Sequence, residues 1–231
     1  NVFLRAISGF KAFDALVKLV NATSDKVFWA LVFNRYSWTF INQTRKRVHY
    51  FRRLLHVPSW SAEELQRLIA SRNMRTGFEI EFDEMLLDTP AAGQGGFRLV
   101  ASAEGYFRLL WEASRGNPRV ATYIWLQCLQ VIGDKRLKVS LFHDNSSEML
   151  DKLDSELLFV LAAVCQHENL SATDLATCLN VPRDFADFAI RFLTEGGVLE
   201  TKGLDPDRTT LAPRHYVAVL NALRGKHLLF E

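Results

Sequence analysis

The chain has 231 residues, of which 48% are hydrophobic and 23% are charged, an ordinary balance for a globular protein with a proper core. Its net charge of +2 is too small to indicate a nucleic-acid or membrane partner, so such a partner has to be argued from local clusters. No apolar stretch approaches the ~20 residues that span a bilayer, so the sequence indicates no transmembrane segment.

Residues 1–60 predict helices and strands in alternation. Apolar residues near helical spacing predict a helix over 10–22, and the continuous apolar run 27–33 predicts a strand buried on both faces, as in a parallel sheet. A second helix is expected near 38–50 and a short strand at 53–57. This order predicts an α/β layer domain whose earlier strands lie before the first residue of the sequence.

Residues 61–135 predict a small helical bundle. Ser61 and Glu64 form a capping-box pattern at its start. The pattern up to residue 132 is helical, with helices expected near 61–73, 97–114 and 118–131. The glycine-rich stretch 91–96 lacks the lysine and hydroxyl residue of a phosphate-binding loop, so we expect a flexible connection there.

Residues 136–231 predict a winged helix. The expected elements are a strand at 137–142, a helix at 151–167, a short helix from 171, a helix from 182 to 195, strands at 198–201 and 209–212, and a last helix at 213–223. Three helices followed by a hairpin form the winged version of the helix-turn-helix. The third helix has two arginines against three carboxylates, which favours protein–protein or intramolecular docking over DNA contact.

Two polar positions suggest a ligand site. Asn34 ends the apolar run 27–33, at the carboxyl edge of the predicted sheet, where ligands of open α/β folds bind. Arg119 lies in the first turn of the helix that Gly116-Asn117-Pro118-Arg119 opens, where a guanidinium can bind phosphate in a bidentate manner. The structural alternatives are an asparagine in a turn and a solvated arginine between two helices.

Residues 35–56 are basic and contain no carboxylate; the cations are Arg35, Arg45, Lys46, Arg47, Arg52 and Arg53. Such a segment can contact a nucleic acid or an acidic lipid, or it can be an ordinary solvated helix face. The aromatic residues between these charges are explained by core packing more economically than by base stacking.

In its order of elements the chain resembles the AAA+ ATPases, in particular the initiator-like and STAND signalling branches that end in a winged helix. The resemblance covers nearly the whole chain. It rests on the strand before Asn34, on Gly116-Asn117-Pro118-Arg119 and on the winged-helix pattern. It implies the carboxyl-terminal part of an α/β P-loop ATPase core in residues 1–60, a helical lid in 61–135 and a winged-helix domain in 136–231, predominantly α overall.

The resemblance also implies roles for individual residues. Asn34 corresponds to sensor 1, which orients the attacking water, and Arg119 corresponds to sensor 2, which contacts the nucleotide phosphates. Arg47, with Arg45 as its rival, corresponds to the arginine finger that reaches a neighbouring subunit's nucleotide. ATP and Mg²⁺ are therefore expected in the intact protein, together with self-association through the ATPase interfaces.

We expect these 231 residues alone to bind no nucleotide tightly and to hydrolyse none, because they contain no Gly-x-x-x-x-Gly-Lys-Ser/Thr loop. The expected function of the intact protein is to couple ATP binding and hydrolysis to assembly or remodelling through the winged-helix module. The alternatives are a STAND-type nucleotide switch or signalling platform, and a DNA-binding initiator or transposition-type ATPase.

The cysteines indicate the cellular compartment of the protein. The first residue of the sequence bears on whether these 231 residues are part of a longer protein. Cys128, Cys165 and Cys178 lack disulfide or zinc spacing and lie among apolar residues, which predicts buried free thiols, no metal site and a reducing, cytoplasmic compartment. No Ser-His-Asp or Cys-His pattern stands out. Because the sequence begins with asparagine and no signal-peptide pattern follows, we expect a piece of a longer protein.

Overall fold

The computed structural model of the chain describes residues 9–45, 51, 53–82, 86–88, 97–99, 102–142, 150, 152–202 and 205–229. These residues are predominantly helical. They form two compact units, one made of residues 1–55 and 146–231 and the other of residues 56–145. The predicted division at 1–60, 61–135 and 136–231 stays a prediction.

In chain order the described elements are α1 (Lys11–Thr23), α2 (Arg35–Arg45), α3 (Ala62–Met74), β1 (Glu79–Phe82), β2 (Leu86–Asp88), β3 (Phe97–Leu99), α4 (Ser102–Ser114), α5 (Pro118–Gln127), β4 (Leu129–Gly133), β5 (Arg136–Val139), α6 (Ser155–His167), α7 (Ala172–Leu179), α8 (Arg183–Glu195), β6 (Leu199–Lys202), β7 (Asp205–Leu211), a 3₁₀ turn (Pro213–His215) and α9 (Tyr216–Gly225). The glycine-rich stretch 91–96 lies outside the described residues.

In the first unit, α1 and α2 pack on each other through aromatic and aliphatic side chains. Phe13 and Ile41 are fully buried between them. Phe10 stacks on Phe40 with 6.2 Å between ring centroids, and the Phe13 ring meets Phe33 edge-on at 6.1 Å. This cluster fixes the segment between the two helices, which carries Asn34.

The apolar run 27–33 forms no strand in the described structure, so the predicted buried strand is wrong. The run is extended, with Trp29 and Leu31 partly buried on one side and Phe28 and Val32 each 95% exposed on the other. The stretch 53–57 likewise forms no strand with any described residue, and its Val57 is exposed. A strand needs a neighbour for its backbone groups, and the described residues provide none for either segment.

The rest of the first unit is built around α6, which is buried along most of its length. Helices α7 and α8 and the hairpin β6–β7 surround it, with α9 packed behind; the largest fully buried side chains here are Leu158, Leu161, Leu170, Leu175, Leu193 and Leu199. In the hairpin Leu199 pairs with Leu211, and an isolated bridge joins Leu170 to Thr209. The predicted order of three helices and a hairpin is therefore present.

The second unit packs α3, α4 and α5 against a three-stranded sheet. In this sheet β1 is parallel to β5, and β5 is antiparallel to β4. Its core contains Leu65, Tyr106, Leu110 and Trp125. The prediction that residues 61–132 are entirely helical is wrong at β1, β2, β3 and β4. Strand β1 pairs with β5, which is distant in sequence and which local patterns do not reveal, whereas β2 pairs with the nearby β3 and β4 with the nearby β5.

None of the described helices has both the length and the apolarity needed to cross a membrane.

Candidate functional site

Asn34 lies at the start of α2, and its side-chain amide makes hydrogen bonds in two directions. Its Oδ1 accepts from the backbone N–H of Tyr36 at 2.9 Å, as an N-cap residue does. Its Nδ2 donates to the carbonyl oxygen of Cys165 at 3.2 Å. Cys165 lies in the last turn of α6, where backbone carbonyls lack partners within the helix. Asn34 therefore caps the beginning of one helix and the end of another.

Two neighbours of Asn34 strengthen this junction. The Ser37 hydroxyl is buried and donates to the carbonyl of Gln166, the next residue along α6. The buried Tyr36 hydroxyl accepts from Nη2 of Arg224 in α9 at 3.3 Å. We define these three residues, Asn34, Tyr36 and Ser37, as the α2 latch. The sequence pattern singled out Asn34 and gave no signal for the other two, whose partners are the Arg224 guanidinium and the Gln166 carbonyl.

The basic segment is only partly described. Arg45 pairs with Asp14 of α1, with 2.7 Å between Nη2 and Oδ2, and its guanidinium carbon lies 4.5 Å from the centre of the Phe10 ring. Arg45 is thus held within the α1–α2 pair. Arg47, the residue expected as an arginine finger, lies outside the described residues together with its neighbours at 46–50.

Arg119 is exposed at the second position of α5, in the second unit. Asn117 caps that helix, because its Oδ1 accepts from the N–H of Arg119 at 3.0 Å and from that of Val120 at 3.4 Å. Gly116 before it has a φ of +71°, and a Cβ there would lie 2.3 Å from the carbonyl oxygen of Trp60. The expected break and restart of the helix are present, and Gly116 is required by both its conformation and its close packing.

Helix α8 presents two exposed aromatic side chains. Phe188 and Phe192 are 55% and 46% exposed, and their rings stack with 5.9 Å between centroids. Asp184 and Glu195 are exposed one turn beyond them at either end. We call Asp184, Phe188, Phe192 and Glu195 the α8 stripe. Phe185 of the same helix is partly buried and packs against the core.

Two arginines near α8, Arg183 and Arg208, are engaged within the protein, whereas Arg191 of α8 is exposed. Arg183 pairs with Asp187 one turn later at 2.8 Å. Arg208 of β7 bonds to Oδ1 of Asn169 at 3.0 Å and pairs with Oδ2 of Asp174 in α7 at 3.1 Å. Arg208 is mostly buried, so these contacts fix the hairpin on α7 and occupy its guanidinium.

The cysteines are free and buried in the described structure. Burial raises the pKa of the Cys165 thiol to about 12, which keeps it protonated and unreactive. The Cys178 sulfur lies 3.1 Å from Nε2 of His167, and both residues are buried. Within the described ranges, no group of three or more histidine, cysteine, aspartate or glutamate side chains is arranged to hold a metal ion.

No protein-family model and no curated protein matches the sequence. A solved structure of a mutant RuvB protein from Thermogota maritima is similar to 74% of this chain at 18% identity, with a TM-score of 0.26. The similarity covers 52% of that structure, so the chain spans about half its length. A likeness at this TM-score carries no argument about the family or function of the chain.

Proposed function

We propose that the chain belongs to an AAA+-type ATP-binding protein and that residues 155–225 act in it as a winged-helix module that binds a protein partner. The order of three helices, hairpin and final helix supports the winged-helix assignment. Phe28 and Val32 on the extended segment 27–33 are exposed, which is costly in water and supports a larger protein in which another surface covers them.

The observation that carries the partner assignment is the stacked pair Phe188–Phe192 on α8. Exposed aromatic pairs are typical anchors of protein interfaces, because each brings a large rigid surface at small entropic cost. DNA binding instead needs a cationic face, and the two arginines of α8 are outnumbered by three carboxylates. The guanidinium of Arg208 is bonded to Asn169 and Asp174, so it is not available to DNA phosphates, which also favours a protein partner over DNA.

The exposed area indicates what kind of partner fits. About half of each phenylalanine is accessible, which amounts to about 200 Å² of aromatic surface. A stable interface between two folded proteins buries about 800 Å² on each side. We therefore propose that the partner docks a short apolar segment, with basic residues that meet Asp184 and Glu195 at the two ends of the α8 stripe.

A photo-crosslinking residue placed at position 188 in the intact protein tests this proposal. The expected result is one partner protein that crosslinks at position 188 and not at Lys152, an exposed position outside the stripe. Its contact segment should contain apolar and basic residues. Equal crosslinking at both positions, or a crosslink to duplex DNA instead, would refute the proposed docking surface.

A STAND-type nucleotide switch is the second candidate, and the position of Asn34 favours it. A residue expected to contact nucleotide is bonded instead to the end of α6. Such an arrangement suits a protein in which nucleotide sets a conformational state rather than driving continuous work. Tight nucleotide retention with slow turnover in the intact protein would support this candidate, and rapid turnover would reject it.

A further inference from the structure

Helix α8 carries three charges on its exposed face that no other described residue neutralises. Asp184, Arg191 and Glu195 are exposed, and none of them forms an ion pair within the described part of the chain. Arg191 has a carboxylate one turn away on either side, at Asp187 and Glu195, a spacing at which ion pairs form on helices. Asp187 instead pairs with Arg183 at 2.8 Å, so the charge of Arg191 is available to another molecule.

These three charges lie nearly in a line beside the stacked rings of the α8 stripe. Residues seven and eleven positions apart in an α-helix return to within about 20° of the same direction, so Arg191 and Glu195 line up with Asp184. This line faces away from Leu193, which is buried in the core. With a rise of about 1.5 Å per residue, Arg191 lies about 11 Å from Asp184 and about 6 Å from Glu195 along the helix axis.

The spacings of the charges fit a helical partner better than an extended one. On one face of a strand, side chains recur about every 7 Å, so no two of them are separated by about 11 Å. On one face of a helix, residues four and seven positions apart are separated by about 6 Å and about 11 Å. A helix that lies along α8 can therefore oppose all three charges and cover Phe188 and Phe192 with apolar side chains of the same face.

The signs of the charges disfavour a second copy of this chain as the occupant. In an antiparallel contact between two α8 helices, Asp184 meets Glu195 of the second copy, and in a parallel contact each charge meets its own kind. Like charges that face each other destabilise either arrangement. The occupant needs the opposite sign at each of the three positions.

We infer that the α8 stripe binds an amphipathic helix of another protein, and that Arg191 selects this helix by pairing with a carboxylate that lies between two cations. The carboxylate is four residues from the cation that meets Glu195 and seven residues from the cation that meets Asp184. Arginine suits this role, because its planar guanidinium binds a carboxylate through two parallel hydrogen bonds. The inference rests on the proposed function, since it takes the α8 stripe as the docking surface.

The probe is a photo-crosslinking phenylalanine analogue at position 188 of the intact protein, in the cells that produce it. Mass spectrometry of the crosslinked product identifies the segment that lies against α8. We expect a segment of a different protein with helical spacing of its apolar residues. It should contain a carboxylate four residues from one lysine or arginine and seven residues from another, on the opposite side in sequence.

Substitutions at Arg191 test its role in selection. Arg191→Gln should lower the crosslinking yield at least about threefold, because the carboxylate of the partner then faces an uncharged side chain. Arg183→Gln is the matched control, since it makes the same change on the same helix in an arginine that is already paired; its yield should stay within about 1.5-fold. Arg191→Lys keeps the charge and should retain most of the yield. Changing the carboxylate of the partner to lysine should restore the yield that Arg191→Glu loses.

The outcomes separate the inference from the function on which it rests. Equal yields in Arg191→Gln and Arg183→Gln would overturn the selective role of Arg191 and leave the docking surface intact. A crosslinked segment that belongs to this same chain, or that has no carboxylate at these spacings, would also overturn the inference. A lack of any protein crosslink at position 188 without further substitutions, or a crosslink to duplex DNA instead, would reject the proposed function and the inference together.

Discussion

Trp60 and Gly116 approach so closely that their backbones leave no room for a side chain between them. The N–H of Trp60 donates to the Gly116 carbonyl at 3.0 Å, and the Trp60 carbonyl accepts from the indole N–H of Trp111 at 2.8 Å. A Cβ on Gly116 would lie 2.3 Å from that Trp60 oxygen. This contact fixes the turn that leads into α5 and places Arg119 in its first turn.

Gly116→Ala should therefore destabilise the second unit strongly. The left-handed backbone costs roughly 1 kcal/mol for alanine, and displacing the Trp60 carbonyl adds roughly 2 kcal/mol. Gly77→Ala is the matched control, because Gly77 has a similar φ of +70° and open space around its Cβ position. Urea denaturation of both variants checks the difference, and equal losses of unfolding free energy would show that the close approach does not matter.

The hairpin should depend on Arg208 more than on Arg183, an exposed arginine of α8. Arg208→Gln removes the ion pair with Asp174 in a mostly buried site, which we expect to lower the unfolding free energy by about 2 kcal/mol. Arg183→Gln removes the exposed pair with Asp187 and should cost less than about 0.5 kcal/mol. Chemical denaturation measures both, and a larger loss in the Arg183 variant would contradict this view of the hairpin.

Stability should fall in alkaline solution because of Cys165. Burial raises its pKa from 9.0 to about 12, so the unfolded state loses the thiol proton at lower pH than the folded state. The contribution is present below about pH 9 and is lost as the pH rises toward about 12, with about 1 kcal/mol gone by about pH 10. Cys165→Ala should show a shallower decline in unfolding free energy over this range; an identical decline would contradict the assignment.

The run 27–33 should make the chain prone to association. Phe28 and Val32 are 95% exposed on an extended segment, the kind of edge that pairs with other chains. Val32→Lys should reduce light scattering at high protein concentration and leave the unfolding free energy within about 0.5 kcal/mol. Leu31→Lys is the control, because Leu31 is partly buried and its replacement should destabilise the fold. Unchanged scattering in Val32→Lys would exclude this edge as the cause.

The features that were predicted most accurately from the sequence are those set by residues close together in the chain, such as the starts of helices. The capping box of Ser61 and Glu64 is present at the start of α3, and Asn117 with Pro118 starts α5 as expected. Both signals act within four residues, so they can be recognised without knowledge of any distant contact. The order of helices and hairpin in residues 155–225 was predicted for the same reason, since each element has its own periodicity and stop signal.

Pairing between distant segments could not be predicted in this way. Strand β1 exists because Glu79 lies opposite Arg136 in β5, and nothing near Glu79 indicates that partner. Conversely, the run 27–33 has the composition of a buried strand and has no partner strand among the described residues. Asn34 was recognised from its position after that run, whereas its bond to the Cys165 carbonyl depends on a backbone group that every residue type possesses.

The most direct test of the account is the affinity of the intact protein for the partner recovered at position 188. Phe188→Ala with Phe192→Ala should weaken binding by at least about tenfold, because the aromatic anchors of the α8 stripe are removed. Phe159→Ala is the matched control, since this phenylalanine of α6 is 48% exposed and lies outside the stripe; it should stay within about twofold. Equal affinity of the double variant and the wild type would contradict a protein-binding role for α8.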